Sequence, residues 1–281
     1  MAAKLETWTR VRVDSQLGQT WLRSRSENEV STSKLPSQAS QRYSYIGIEV
    51  NSRVTGAGRP PDFAAVAAAD PRYSRYARLL TSWPGLVSGP AEPLIEDSLV
   101  LLPNLPPQAA GGGRGLRLVD VGSGGGMPGL PLALALPALR VTLLEADRRK
   151  AGFLTHAAAE LGLEVEVVAE RAETAGRGSH RESFDVAVCR ALAAPAVALE
   201  LCLPFLKTGG RLLAMRSGDE QDDPDRLAGV AALLGGGPPT SHPAPSRARL
   251  RGTVLAVTKM SPTPASYPRR PGVPSRRPLG R

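Results

Sequence analysis

Between Leu118 and Gly129 the sequence reads Leu-Val-Asp-Val-Gly-Ser-Gly-Gly-Gly-Met-Pro-Gly, and this stretch constrains the fold more than any other. Leu118–Val121 alternates apolar and acidic character in the manner of a short buried strand, and five small residues follow it before Met127 and Pro128. Proline is favoured at the first helical position, where its missing N–H has no partner to lose. The segment therefore predicts a strand, a glycine turn and a helix opening at Pro128. Glycines in such a turn let the backbone approach a ligand closely, and the helix N-terminus offers unpaired N–H groups. That unit is the ligand-binding end of a doubly wound α/β domain.

Spacing selects among ligands. The dinucleotide fingerprint G-x-G-x-x-G sets its first glycine directly after the strand. Counted from Gly122, the third glycine falls on position 127, which is Met127. A literal match exists at Gly124, Gly126 and Gly129, but it begins two residues late. The arrangement Asp120-x-Gly122-x-Gly124-x-Gly126 is similar to the first motif of class I S-adenosylmethionine-dependent methyltransferases.

Strands and helices alternate around this motif. Strands are expected at 116–121, 140–145, 164–169, 184–189 and 211–216, with helices at 128–136, 148–161 and 195–206 between them. Gly162 and Gly209-Gly210 supply stops. Alternation with short loops implies a parallel sheet covered on both faces. A further helix is expected at 225–234, then a loose Gly/Pro/Ser stretch, then 249–251 and 253–259 closing the sheet with a final antiparallel strand. Upstream, helices at 62–69, 71–83 and 94–102 form a small N-terminal cap, with Tyr73, Tyr76, Leu79, Leu80 and Trp83 repeating at helical spacing as core. The expected organisation is an extension over 1–60 too polar to build a core, the cap over 61–110, the methyltransferase-like domain over 111–260 and a tail over 261–281. Within the extension, Tyr43–Val50 has the composition of a strand without an obvious partner.

Charge is unevenly placed. Residues 247–281 carry nine Lys/Arg and no acid, which equals the whole chain's formal excess of +9. Such a tail suits a polyanion, nucleic acid above all, although a merely solvated tail has the same composition. Its prolines, Pro262, Pro264, Pro268, Pro271, Pro274 and Pro278, favour an extended course with spaced guanidinium groups. No apolar run approaches the roughly 18 residues that span a membrane, and no cationic-then-apolar signal opens the sequence. The two cysteines, Cys189 and Cys202, sit in apolar segments as reduced thiols, and the three scattered histidines assemble no metal site. A cytoplasmic, metal-free monomer without membrane contact is expected.

In a sheet of this kind the ligand crosses the carboxyl ends of the strands. Glu145 ends the second expected strand, where a carboxylate can accept hydrogen bonds from both ribose hydroxyls of an adenosine cofactor. Asp147 borders the same cleft and is placed to cap the helix opening at Arg148. Ala172-Glu173 follows the third strand, beside the adenine position. Arg190 follows the fourth, where a guanidinium can hold a carboxylate, a phosphate or a base edge, or pair with a neighbouring acid.

Leu118–Leu132, Leu143-Leu144-Glu145-Ala146-Asp147 with Arg149-Lys150 and Phe153-Leu154, Glu170-Arg171-Ala172-Glu173 and Cys189-Arg190-Ala191 together resemble the bacterial small-subunit ribosomal RNA methyltransferase G family (RsmG, also called GidB). The ending, Pro262–Pro274 with Arg277-Pro278-Leu279, resembles the C-terminus of many members. The resemblance implies a Rossmann-like class I methyltransferase fold, S-adenosylmethionine as cofactor, and methyl transfer to N7 of guanine 527 in 16S rRNA, as free RNA or in the small ribosomal subunit. Carried over by position, cofactor contacts fall on Gly122, Gly124, Met127, Glu145, Ala146, Asp147, Ala172, Glu173 and Arg190. No general base is implied, since N7 keeps its own lone pair; Arg190 is the candidate orienting residue. Two departures stand out: Trp83-Pro84-Gly85-Leu86-Val87 replaces the family's Trp-Asn…Asn-Leu-Thr, and Ile95-Glu96 stands where Arg-His precedes Asp97-Ser98-Leu99. A non-catalytic RNA-binding protein and an NAD(P)-dependent oxidoreductase remain alternative readings of the same residues.

Overall fold

Seven strands make one sheet in the order β5-β4-β3-β6-β7-β9-β8. They are β3 (Arg117–Val121), β4 (Arg140–Leu144), β5 (Glu166–Val168), β6 (Phe184–Arg190), β7 (Leu206–Arg216), β8 (Thr240–Pro243) and β9 (Thr253–Thr258). The first five run parallel, reversing direction of build on either side of β3, and β9 pairs antiparallel with both β7 and β8. The computed structural model describes residues 62–106, 115–218 and 223–280, and the strand positions 42–45 and 48–51. The chain divides into two compact units, Met1–Gly58 and Arg59–Arg281. In the first, β1 (Arg42–Tyr45) pairs antiparallel with β2 (Ile48–Asn51), so the segment expected as one strand forms two. The rest of the 1–60 extension lies outside the described residues, as do residues 107–114.

The central parallel strands β3, β4 and β6 are largely apolar on both faces because helices cover both. Leu118, Val119 and Val121 of β3 are buried, as are Val186, Ala187 and Val188 of β6. Each such leucine or valine contributes about 1.5–3 kcal/mol by leaving water, and the alanine less. Helix α4 (Gly129–Ala135) is buried on every side, so no polar stripe marks it. Helix α5 (Arg148–Leu161) has ends written locally: the Asp147 carboxylate accepts from the Arg149 and Lys150 N–H groups, and Gly162 takes a left-handed conformation at φ +64°.

Elsewhere proline moves the boundaries. Helix α3 (Glu92–Leu99) stops before the expected 102 because Pro103 has no N–H for the Leu99 carbonyl, and Leu102–Asn104 continues as a 3-10 turn. By the same logic Pro204 ends α7 at Pro195–Cys202. Strand β8, expected as loose loop, is short, polar and at the sheet edge, where Pro243 is tolerated. Helices α6 (Ala172–Ala175) and α9 (Val273–Arg276) are single turns without periodicity to read. Helix α8 spans Pro224–Leu233.

Helices α1 (Phe63–Ala69), α2 (Pro71–Ser82) and α3 form the cap. Tyr73, Tyr76 and Leu80 of α2 are buried, and Trp83 packs edge-on against Phe153 of α5 at 5.3 Å. Residues 261–280 lie against the domain rather than away from it. The Arg177 guanidinium donates to the Pro268 carbonyl at 2.6 Å, Arg181 donates to that of Tyr267 at 2.8 Å, and Arg269 pairs with the buried Glu200 at 2.6 Å. Among the described residues no helix is long and apolar enough to cross a membrane.

Candidate active site

The glycine loop is fastened to the end of β4. The N–H groups of Gly122 and Ser123 both donate to the Leu144 carbonyl, at 2.8 and 3.0 Å, and the Ser123 hydroxyl donates to the Asp120 carbonyl at 2.8 Å. Gly122 has φ +73°, and a Cβ there would lie 2.5 Å from Cδ1 of Leu192, in the loop after β6. Gly124, at φ +57°, is different, since a Cβ would meet only the Gly122 carbonyl at 3.9 Å. The backbone at Gly124 thus borders open space at the carboxyl ends of the strands. From the cap, the Tyr76 hydroxyl donates to the Gly125 carbonyl and the Tyr73 hydroxyl to that of Pro131 at 3.1 Å. Burial pushes the Tyr76 phenol well above its ordinary range.

Glu145 stands at the end of β4, nearly buried. Its carboxylate accepts the N–H of Gly124 through Oε2 and of Asp147 through Oε1, each at 2.8 Å. Every carboxylate oxygen has two acceptor sites, so each retains one. Asp120, wholly buried at the end of β3, accepts the Gly129 N–H through Oδ2 at 2.9 Å, while its Oδ1 has no partner. Burial raises its carboxyl to about 7. Asp120 stands outside the expected site residues, as part of the glycine motif alone, and its burial beside the loop makes it a functional candidate too.

Arg190 closes the other side. It ends β6, immediately before Ala191 at φ +49°, and its guanidinium donates to the Leu94 carbonyl at 3.3 Å and to Sδ of Met127 at 3.5 Å. Asp97 of α3 lies 3.7 Å away. Arg190 therefore joins cap, loop and sheet, and pairing with a neighbouring acid is one of its roles. Glu96, at one of the departures from the family pattern, pairs with Arg247.

Gly122, Gly124, Met127, Glu145 and Arg190 are thus linked around the glycine loop, Glu145 through Gly124 and Arg190 through Met127. Ala146 and Asp147, just after Glu145, are exposed, with the Asp147 carboxyl lowered chiefly by the Lys150 N–H it caps. Ala172 opens α6, and the buried Glu173 accepts the Gly272 N–H at 2.8 Å, which engages it with the tail. Sequence reasoning missed that engagement, because nothing local to Glu173 signals a partner 99 residues away. Cys189 and Cys202 are both buried and free, and among the described residues no group of His, Cys, Asp and Glu could hold a metal ion.

The strand order, with an antiparallel β9 beside β7 and a glycine loop after β3, defines the class I methyltransferase fold. Comparison with known proteins agrees. The family described as GidB, rRNA small subunit methyltransferase G, matches residues 91–235. The ribosomal RNA small subunit methyltransferase G of Staphylococcus epidermidis is 40% identical over 167 residues, 58% of this chain and 70% of that protein. Its namesake from Roseiflexus castenholzii is 43% identical over 165 residues, again 58% and 70%. Cofactor-bound Rv0187 from MTB superposes with a TM-score of 0.49 at 20% identity, covering 73% of this chain and 100% of that one. The chain belongs to the rRNA small subunit methyltransferase G family.

Proposed function

We propose that this protein methylates N7 of one guanine in 16S rRNA, guanine 527 by the family resemblance, with S-adenosylmethionine as donor. The observation that carries the cofactor reading is Glu145, a buried carboxylate with an acceptor site left on each oxygen, bound to a glycine loop whose Gly124 borders open space. The residues fit an adenosyl group: Glu145 would take the ribose hydroxyls, Gly122 and Gly124 would lie against the ligand, and Ala146, Asp147, Ala172 and Glu173 would border the adenine. The unpartnered Oδ1 of Asp120 adds a buried acceptor at the same loop. S-adenosylmethionine supplies an electrophilic methyl group on a good leaving group.

Little acid–base chemistry falls to the protein. Guanine N7 already presents a lone pair, so the chain's task is alignment, a proximity and orientation effect. Arg190, held by Leu94, Met127 and Asp97, presents a planar guanidinium suited to orienting the base or the ligand. Basic residues of the C-terminal region would hold phosphates of the RNA or of the assembled small subunit.

Tritiated S-adenosylmethionine and 16S rRNA from cells lacking the modification test this directly. Label should enter the RNA, and borohydride–aniline cleavage should map it to a single N7-methylguanine. Binding of RNA and cofactor without label would favour a non-catalytic binding protein, and binding of NADH instead would favour the oxidoreductase.

A further inference from the structure

Leu250 is 83% exposed in the loop that joins β8 to β9. Single exposed leucines are ordinary, but this loop is tightly fixed. Ala244 N–H donates to the Gly252 carbonyl at 2.8 Å, Ser246 N–H to that of Arg249 at 3.0 Å, and Gly252 N–H to the same Arg249 carbonyl at 2.9 Å. The Ser246 hydroxyl donates to Asp97 at 2.6 Å. Nε of Arg249 donates to both Asp97 oxygens, at 2.9 and 2.8 Å, and its Nη1 to the carbonyls of Arg216 and Thr253. A backbone so anchored holds the leucine out in water, where its apolar surface gains nothing.

Its location gives the exposure a use. Asp97 is almost wholly buried and serves two guanidinium groups, Arg249 beside Leu250 and Arg190 beside the glycine loop, the latter at 3.7 Å. Arg216, whose carbonyl receives Arg249, ends β7 next to the end of β6, where Met215 stands beside Arg190. The loop therefore stands on the rim of the candidate active site. Arg247, Arg249 and Arg251 alternate with Ala248 and Leu250 along it.

We propose that Leu250 is a wedge that enters the base stack of the substrate RNA beside the target guanine. The inference rests on the reading that RNA is the substrate. In an A-form helix the groove carrying N7 is deep and narrow. A stacked guanine cannot bring N7 to a cofactor at the strand ends until it leaves the stack. An apolar side chain inserted at the vacated step buries its surface there and keeps the base from returning. Arg249 is turned inward to Asp97, so the arginine of this loop placed to meet a flanking phosphate is Arg247, paired with Glu96 yet largely exposed.

The test uses the full chain with 2-aminopurine placed at successive positions of a 16S-derived RNA, a probe that brightens on unstacking whether or not methyl is transferred. The wild-type protein should raise fluorescence at one step. Leu250→Ala should bind the RNA with the same salt dependence but give less than a fifth of that rise, and methylate at least tenfold more slowly. Its cofactor affinity and melting temperature should be unchanged, and Leu250→Met should restore both signals. An equal rise with Leu250→Ala, or no rise with wild type, overturns the wedge, as does a wild-type dimer that Leu250→Ala dissolves. Unstacking without methyl transfer by wild type would instead overturn the proposed activity and leave the wedge standing.

Discussion

Oε2 of Glu145 accepts the Gly124 N–H at 2.8 Å, a charged hydrogen bond that ties the end of β4 to the middle of the glycine loop beside the two that Gly122 and Ser123 donate to the Leu144 carbonyl. If the remaining acceptor sites receive a ribose, Glu145→Ala loses those bonds and this tether together. Hydrogen bonds to a charged group are worth about 1.5–3 kcal/mol, or roughly ten- to a hundredfold in affinity. Calorimetric titration with S-adenosylhomocysteine should find that loss, and a smaller one for Glu145→Gln, which keeps one acceptor oxygen. Unchanged affinity in both variants would remove Glu145 from the cofactor site.

The strand, the glycine loop and Glu145 were legible because their signals are local. Turn chemistry, a helix start (at Gly129, with the expected first residue Pro128 standing as its N-cap) and an acid at a strand end all fall within 28 residues, from Leu118 to Glu145. The same holds for α5, whose Asp147 and Gly162 caps are written beside it. Arg190 shows where reading ends. Its position after β6 was readable, but its partners Leu94 and Asp97 come from the cap, over 90 residues earlier, and no periodicity encodes such a pairing. Asp97 and Arg249 are 152 residues apart, and Arg269 and Glu200 are 69 apart. Composition marked residues 247–281 as basic and could not distinguish arginines that face solvent from arginines that face buried carboxylates.

Arg269 is the clearest case. Its backbone N–H, Nε and Nη2 all donate to Glu200, which has no exposed surface, and Glu200 in turn holds the Arg269 guanidinium above its usual range. Arg269→Ala strands a buried carboxylate and should cost about 3–5 kcal/mol, lowering the melting temperature by roughly 10 °C in a domain of this size. Arg270, Arg276 and Arg277 are exposed, and their replacement by Ala should leave the melting temperature nearly unchanged. If they hold phosphates, each lost contact should reduce the slope of log K against log salt for RNA binding by about 0.7–0.9. A triple variant with an unaltered slope would place the RNA elsewhere.

Burial raises the Asp120 carboxyl from 3.8 to about 7. Between those values the unfolded chain is ionised while the folded chain keeps its proton, so folding takes up a proton and stability falls as pH rises. The stabilisation is complete below pH 3.8 and gone above about pH 7, an effect of up to about 4 kcal/mol at 1.36 kcal/mol per unit. Asp120→Asn stays neutral and keeps an acceptor for Gly129. In urea unfolding between pH 5 and roughly pH 8, wild type should lose stability relative to this variant. Parallel pH profiles would mean that Asp120 is ionised throughout.

Lys259 works in the opposite direction. It has no exposed surface, and its ammonium donates to the Leu203 carbonyl at 2.7 Å and to the Thr263 hydroxyl, with Glu182 at 3.8 Å. Burial nevertheless lowers it from 10.5 to about 8, the charge of Glu182 only partly opposing this. Between those values the unfolded chain holds a proton that the folded chain has released, so this residue makes stability rise with pH. The penalty of burying the charge is present in full below about pH 8 and relieved as pH approaches 10.5, a change of up to about 3 kcal/mol. Lys259→Met carries no charge at any pH and gives up the ammonium's hydrogen bonds, so its absolute stability is a poor guide. The difference in stability between wild type and Lys259→Met isolates the titration, because tyrosines and surface lysines contribute to both proteins alike. That difference should move in favour of wild type as pH is raised from about 8 to about 10. A constant difference would show that the folded protein keeps Lys259 charged throughout, its hydrogen bonds outweighing its burial.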